Sequence, residues 1–308
     1  MSKELSYLEA IREALVEEMR RDPKVFVLGE DVGAYGGAFG VTQGLFEEFG
    51  EMRVIDTPIS ESLIVGASIG ASLRGYRPVA EMQFADVISC GFDQIVIRAP
   101  SGGNVGGGLY HSQNPEAWFI HRPGVKVVAP STAWDAKGLL KAAIQDDNPV
   151  IYFEHKYLYR RAKGPVPEGD ETVPLGVAAI RREGRDATVL TYAAMVTPSL
   201  EAADRLSKEG VEVEVIDLRT LLPYDKNAIF ASVEKTNHVL IVHEDTRTLG
   251  VGAELSAVIM EERFESLDAP VMRVTYPDTH PPFSHVLEQA CLPNADTITE
   301  ALRKLAAY

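Results

Sequence analysis

The chain is 308 residues long and 45% hydrophobic, which is enough for two ordinary domains with a core each and excludes an intrinsically disordered protein. Its 45 acidic residues against 30 basic ones give a formal net charge of -15, which repels phosphate backbones and anionic membranes and argues against nucleic acid as a partner. Its two cysteines, Cys90 and Cys291, lie far apart without CxxC or histidine spacing, so neither a disulfide framework nor a zinc site is indicated.

Strand-like runs alternate with amphipathic helical runs along the whole chain, which is typical of α/β proteins with parallel sheets. In the first half we predict helices over 7–21, 43–49, 61–73 and 134–145, and strands over 25–28, 79–84, 125–129 and 150–154. Thr132 is the predicted N-cap of the fourth helix, with Asp135 as the acid three residues on.

The alternation restarts in the second half. Predicted strands over 187–192, 211–218, 239–242 and 271–275 alternate with predicted helices over 198–208, 226–235, 253–264 and 298–308. Between the halves, residues 163–174 carry three prolines and two glycines, which favour a linker. We therefore expect an α/β protein with two parallel-sheet domains, 1–162 and 177–308, joined by a linker at 163–176.

The N-terminal residues lack the basic-then-apolar pattern of a secretory signal, and no apolar run approaches the ~20 residues of a membrane span. We expect a cytoplasmic protein, or one of the mitochondrial matrix if a transit peptide has been removed, and no membrane partner.

Glu61 is the most informative single residue, because it opens a strongly apolar predicted helix. A helix start favours an ionised acid through its exposed N–H groups, whereas apolar surroundings disfavour ionisation, so we expect a carboxylate at the mouth of a buried element. Opposed effects of this kind tune a carboxylate for proton transfer. A plain helix cap is an equally weighted reading of this residue taken alone.

Several further stretches accompany Glu61 in a fixed order: Gly29-Glu30-Asp31-Val32-Gly33, Glu81-Met82-Gln83-Phe84-Ala85-Asp86, Ile97-Arg98-Ala99-Pro100 and Tyr110-His111-Ser112-Gln113-Asn114-Pro115-Glu116. Together they resemble the β subunit of the thiamine-diphosphate-dependent 2-oxo acid dehydrogenases, the decarboxylating component of the pyruvate and branched-chain complexes, over essentially the whole chain. The resemblance implies a transketolase-like pyrimidine-binding domain followed by a transketolase C-terminal-like domain, which serves dimerisation and acyltransferase docking.

The resemblance also implies roles for the residues around the cofactor. Glu61 would be the acid that hydrogen-bonds the aminopyrimidine ring of thiamine diphosphate and activates it. Ile59 and Gln83 would position the pyrimidine, and Val87 stands where relatives carry a ring-contacting tyrosine or phenylalanine. Glu30, at the end of a predicted strand, either joins the hydrogen-bond network of the cofactor or caps a loop.

Two further sites follow from the resemblance. His111, in its His-Ser-Gln motif, is similar to the histidine that faces the substrate and the incoming lipoyl group, although an isolated histidine beside glycines is usually structural. Ala143, Asp146 and Asn148 match a stretch that supplies part of a potassium site in relatives, with a helix-terminating turn as the alternative.

The chain contains no Gly-Asp-Gly motif, which this enzyme class uses to hold magnesium and the diphosphate. The resemblance therefore implies a separate α subunit that holds them, an α₂β₂ heterotetramer, and a lipoyl-bearing dihydrolipoyl acyltransferase core as the next partner. The implied reaction is oxidative decarboxylation of a 2-oxo acid with acyl transfer to lipoyl groups. The motifs favour a branched-chain 2-oxo acid, and pyruvate or acetoin enzymes and a non-catalytic scaffold subunit are the alternatives.

The chain departs from the family at the junction of Val96 and Ile97, where relatives have an additional helix and the start of a strand. We favour the explanation that the sequence omits residues that the gene encodes. A genuine deletion is the alternative, and we would expect it to damage the cofactor pocket and the cation site.

Overall fold

The structure is a computed structural model that describes residues 2–86 and 97–308. It divides into two compact units, which are described separately. Unit 1 comprises Met1–Gly102 and Arg122–Leu175, and unit 2 comprises Gly103–His121 and Gly176–Tyr308. The division differs from the predicted domains at two places. The glycine-rich stretch Gly103–His121 belongs to unit 2 although it precedes the end of unit 1 in the sequence, and the predicted linker belongs to unit 1 up to Leu175.

The elements are numbered in chain order. The helices are α1 Tyr7–Arg21, α2 Leu45–Phe49, α3 Glu61–Leu73, α4 Glu116–Ile120, α5 Ala133–Gln145, α6 Val196–Ser207, α7 Lys226–Thr236, α8 Val251–Arg263, α9 His285–Cys291 and α10 Ala295–Leu305. The strands are β1 Ser2–Ser6, β2 Val25–Gly29, β3 Val54–Asp56, β4 Arg77–Glu81, β5 Ile97–Ser101, β6 Lys126–Val128, β7 Val150–His155, β8 Lys163–Pro167, β9 Ala179–Arg182, β10 Ala187–Thr191, β11 Val213–Asp217, β12 Thr220–Leu222, β13 Val239–Thr246 and β14 Met272–Tyr276.

The core of unit 1 is a parallel sheet in which six strands follow the order β6-β7-β5-β4-β2-β3. Its central strands are buried on both faces, as the near-continuous burial of β5 and β7 indicates. Because all six strands run in the same direction, the residues that follow β2, β4, β5 and β7 emerge at one edge of the sheet. That edge is where open parallel sheets place their ligands.

Local sequence signals account for the helices of unit 1. Ser6 and Glu9 form a capping box at the start of α1. The predicted N-cap of α5 is confirmed, since the Thr132 hydroxyl accepts a hydrogen bond from the backbone N–H of Asp135 at 3.1 Å. The segment predicted as a linker begins instead with β8, which pairs antiparallel with β1. Prolines are tolerated there because an edge strand leaves one row of N–H groups unpaired.

The core of unit 2 is a five-stranded sheet in the order β14-β13-β10-β11-β9. Four of its strands are parallel, and β9 joins the edge antiparallel to β11. The prediction of an α/β protein with two parallel-sheet domains is therefore confirmed, with an antiparallel edge strand that was not predicted. Among the described residues, no helix is both long and apolar enough to cross a membrane.

Candidate active site

A pair of glutamates lies at the ligand edge of unit 1. Glu30 directly follows β2, and Glu61 is the first residue of α3, as predicted. Glu30 is buried, and its Oε1 has no hydrogen-bond partner among the described residues. Burial raises the pKa of Glu30, the nearby charge of Glu61 raises it further, and the backbone N–H of Ser60 opposes both effects. The charged form of Glu30 is therefore disfavoured at this edge of the sheet.

Glu61 itself is half-buried at the first turn of α3. The N-cap Ser60 makes no side-chain hydrogen bond to the helix, and its backbone oxygen accepts from the N–H groups of Leu63 and Ile64, each at 3.0 Å. The expectation that α3 is a buried element is wrong for this chain. Only Ile64, Val65 and Ser68 are buried in it, and Leu73 is 82% exposed.

The other residues predicted to hold the pyrimidine have different surroundings. The Gln83 amide donates a hydrogen bond to the Asp31 carboxylate at 2.8 Å, which orients its side chain. Asp31 itself adopts a left-handed backbone with a φ of +57°. Ile59 is 84% exposed. Val87 and the junction at Val96 lie outside the described residues.

A buried ionic network, which the sequence reasoning missed, supports this edge of the sheet. The Arg98 guanidinium in β5 bonds the carboxylates of Glu81 in β4 and Glu154 in β7, one of these bonds reaching Glu154 Oε2 at 2.5 Å. Tyr159 donates a further hydrogen bond to Glu154 at 2.8 Å. Burial raises the pKa of Glu81, and Arg98 counteracts the increase. The sequence signal was a charge in each of three apolar strands, since buried charges require partners.

The candidate potassium site is a turn whose oxygens already have cationic partners. Ala143 is buried in the last turn of α5, and the Asp146 carboxylate accepts hydrogen bonds from the backbone and side-chain nitrogens of Asn148 at 2.8 and 2.9 Å. Lys126 forms an ion pair with Asp146, and Arg77 donates to the backbone oxygen of Asp146 at 3.3 Å. Burial raises the pKa of Asp146, but the hydrogen bonds from Lys126 and Asn148 and the charge of Lys126 together outweigh burial and lower the pKa below its usual value.

These oxygens therefore fit the alternative of a helix-terminating turn better than a potassium site. Within residues 2–86 and 97–308, no group of three or more acidic, histidine or cysteine side chains is arranged to hold a metal ion.

His111 lies in unit 2, directly after a 3-10 turn at Gly108–Tyr110, and its side chain is exposed. The residues that follow it line a cavity of about 600 Å³ in the same unit. The lining includes Ser112, Asn114, Trp118, Asp245, Tyr276 and His280. Burial raises the pKa of Asp245 to about 7, so this carboxyl group titrates near neutral pH.

Comparison with known families assigns both halves of the chain. The model of the transketolase pyrimidine-binding domain matches residues 3–162, and that of the transketolase C-terminal domain matches residues 176–298.

Relatives of known name resemble the chain over almost its full length. The chain is 48% identical to the 2-oxoisovalerate dehydrogenase subunit beta of Bacillus subtilis, with 99% of each chain covered. Identity is 43% to the pyruvate dehydrogenase subunit beta of the same bacterium, again over 99% of each chain. It is 41% to the acetoin:2,6-dichlorophenolindophenol oxidoreductase subunit beta, over 99% of this chain and 98% of the relative. The first alignment spans 324 positions against 308 residues, so at least 16 positions have no counterpart in this chain.

Solved structures share the fold. A split-gene transketolase, described as an inactive beta4 tetramer, has a TM-score of 0.79 at 24% identity, with 98% of each chain covered. A Pichia stipitis transketolase variant in complex with fructose 6-phosphate has a TM-score of 0.72 at 14% identity, with 99% of this chain and 46% of that chain covered. The chain therefore belongs to the family of 2-oxo acid dehydrogenase β subunits, which combine a transketolase pyrimidine-binding domain with a transketolase C-terminal domain.

Proposed function

We propose that this chain is the β subunit of an enzyme that oxidatively decarboxylates a branched-chain 2-oxo acid with thiamine diphosphate and transfers the acyl group to lipoyl groups. The observation that carries the proposal is the Glu30 and Glu61 pair at the ligand edge of a pyrimidine-binding domain. The branched-chain substrate is supported by 48% identity to a 2-oxoisovalerate dehydrogenase subunit.

The residues present fit thiamine diphosphate. When bound, this cofactor supplies the carbon nucleophile and accepts the electron pair that decarboxylation leaves behind. The buried Oε1 of Glu30 is an acceptor without a partner among the described residues, which is a position for a ligand donor. Glu61, at the first turn of α3, would hydrogen-bond the ring nitrogen of the pyrimidine. Gln83, oriented by Asp31, and Ile59 would position the ring, together with Val87.

His111 would act on the other reacting groups. An exposed imidazole can donate a hydrogen bond to a developing negative charge on the substrate or pass a proton during acyl transfer to sulfur. Its position after a glycine-rich loop leaves it accessible to a long lipoyl arm.

An α subunit is the implied partner. The chain lacks a Gly-Asp-Gly motif, so magnesium and the diphosphate are assigned to that subunit. Apolar side chains around α3 are exposed, with Ile59 at 84%, Leu63 at 51% and Leu73 at 82%, and such surfaces mark protein interfaces. We assign this surface to the α subunit in an α₂β₂ assembly. The net charge of -15 favours a basic docking segment on the acyltransferase core.

The test is co-expression with the α subunit from the same genome, followed by dye reduction with 3-methyl-2-oxobutanoate, pyruvate and acetoin side by side. We expect thiamine-diphosphate-dependent activity that is highest with the branched acid. Glu61→Gln should lower it by about 10²–10⁴-fold, the usual contribution of a proton-transfer group. Glu47→Gln is the matched control, because Glu47 is an exposed glutamate of the short helix α2.

Each alternative has its own outcome. Preference for pyruvate or acetoin would reassign the substrate, which the 43% and 41% identities to those enzymes keep open. An assembly that binds no cofactor and has no activity would leave a scaffold subunit. Sequencing the gene across the junction of Val96 and Ile97 separates these cases, because an intact helix-coding segment removes the main reason to expect lost activity.

A further inference from the structure

The loop over residues 103–110, which leads directly to His111, is fixed by carboxylates from distant parts of unit 2. We propose that Glu244 and Glu288 are positioning residues that set the orientation of His111 through this loop. The inference rests on the proposed function, in which His111 acts on the substrate and the acyl group.

Glu288 is the first of the two carboxylates. It lies in α9 with only 1% of its surface exposed. Its Oε2 accepts a hydrogen bond from the backbone N–H of Gly106 at 3.1 Å. Among the described residues it forms no ion pair with a basic side chain. A buried carboxylate requires donors, so the loop amide stabilises Glu288 and Glu288 in turn holds the loop.

Glu244 secures the start of the same loop from the end of β13. Its Oε1 accepts hydrogen bonds from the backbone N–H of Gly103 at 2.5 Å and from the Asn114 amide at 3.1 Å. Because Asn114 follows His111 and Gly103 precedes it, one carboxylate connects both flanks of the histidine. The Ser112 hydroxyl closes the loop by accepting from the N–H of Gly107 at 3.1 Å.

Close contacts explain why glycines occupy this loop. A Cβ on Gly107 would lie 2.7 Å from the Cβ of His111, and a Cβ on Gly108 would lie 2.5 Å from the Phe283 ring. Gly106 and Gly108 also have positive φ, at +67° and +62°. The loop thus packs directly beneath His111 and against the segment that leads into α9.

The position of His111 depends on this backbone, because Gly107 lies directly against its Cβ and the neighbouring Ser112 hydroxyl accepts from the N–H of Gly107. Removing a buried acceptor leaves loop N–H groups without a partner, and the loop must then shift to find one. A displacement of about 1 Å in a catalytic group can cost about 100-fold in rate. Glu288 bonds the loop directly, so we expect its effect on rate to pass through the loop.

The test uses the full chain assembled with its α subunit. Glu288→Ala should lower kcat at least 10-fold, whereas Glu288→Gln, which keeps an acceptor oxygen, should remain within threefold of wild type. Glu261→Ala, an exposed glutamate of α8 in the same unit, is the control and should be neutral. In a His111→Ala background, Glu288→Ala should lower kcat by less than a further twofold, because a residue that acts through His111 then has no side chain to position.

Hydrogen exchange of the peptide over residues 103–111 is the second readout. Exchange should rise in Glu288→Ala and stay unchanged in Glu288→Gln and Glu261→Ala. The proposal would be overturned if Glu288→Ala lowered kcat by the same factor in the wild-type and His111→Ala backgrounds. Unchanged hydrogen exchange in Glu288→Ala would also overturn it. An inactive wild-type assembly would instead refute the proposed function, and the exchange measurement would still decide whether Glu288 orders the loop.

Discussion

His243 and Asp245 lie two residues apart in β13, and we expect their titrations to oppose each other in the stability of the protein. Gly252 donates its backbone N–H to His243 Nε2 at 3.2 Å, so the proton of the neutral ring is on Nδ1, which donates to the backbone oxygen of Asp245 at 3.1 Å. Burial lowers the pKa of His243 to about 4 and raises the pKa of Asp245 to about 7.

The pH dependence of each contribution is set by how many protons the folded and unfolded states bind. Between its unfolded value of 6.5 and its folded value of about 4, His243 binds more protons in the unfolded state, so its contribution to stability is lost as the pH falls. Asp245 behaves in the opposite way. Its folded pKa of about 7 exceeds the unfolded 3.8, so its contribution is full below pH ~4 and is lost as the pH rises to about 7. At 1.36 kcal/mol per pKa unit, the full effects are about 3 and about 4 kcal/mol.

The wild-type free energy of unfolding should therefore change little through this pair between pH 5 and 6.5. Asp245→Asn removes the contribution of Asp245. The free energy of unfolding of this variant, relative to that of wild type, should therefore rise by about 2–3 kcal/mol from pH 5 to pH 8. The free energy of unfolding of His243→Gln, relative to that of wild type, should fall by about 2 kcal/mol over the same pH range.

Urea denaturation of wild type and both variants at pH 5, 6.5 and 8 measures these differences. Taking each variant relative to wild type cancels the other titrating groups, including Arg247, Arg273 and Asp278, which face the pair. Parallel stability curves for wild type and Asp245→Asn would refute the reasoning, because they would mean that Asp245 is ionised in the folded state throughout this range.

Three further outcomes are expected. Arg98→Met leaves two buried carboxylates without their cation and should cost about 3–5 kcal/mol in urea denaturation, and a loss below about 1 kcal/mol would contradict the assigned network. Gly107→Ala should lower activity about tenfold by displacing His111 with little effect on stability, whereas Gly164→Ala, which meets open space, should change neither. The thermal stability of wild type should be equal in potassium chloride and sodium chloride, because Lys126 already pairs with Asp146 in the turn after α5. A higher melting temperature in potassium alone would favour the potassium site over the helix-terminating turn.

Most of the longer helices were predictable because their start and stop signals are local, whereas the short helices α4 and α9 were not predicted. The predicted bounds of α1 and α3 match the structure, and the N-cap of α5 was identified from Thr132 and Asp135. In contrast, β5 was not predicted, since Arg98 and Pro100 both argue against a central strand. The strand forms because Glu81 and Glu154, 17 and 56 residues away, supply the partners for Arg98. Such long-range compensation has no local signal.

The predicted burial of α3 failed for a different physical reason. An apolar helix has the same sequence pattern whether it is covered by its own chain or by a partner, so apolar composition alone could not assign the surface that covers it. The exposed Leu63 and Leu73 make the difference visible only in the structure. The same ambiguity applies to Ile59, which was predicted to touch the cofactor and which is largely exposed in this chain.

Buried carboxylates perform three different tasks in this chain, and their neighbours decide which. Glu30 is buried beside another acid, and both effects raise its pKa. Glu154 faces Arg98 and balances a buried cation. Glu288 faces a backbone N–H and holds a loop. A residue type in a sequence cannot distinguish these tasks, because each depends on which donor or charge the fold brings to within about 3 Å. The chemistry of the acids is therefore a property of the fold, and variants that replace the neighbour should change it as much as variants that replace the acid.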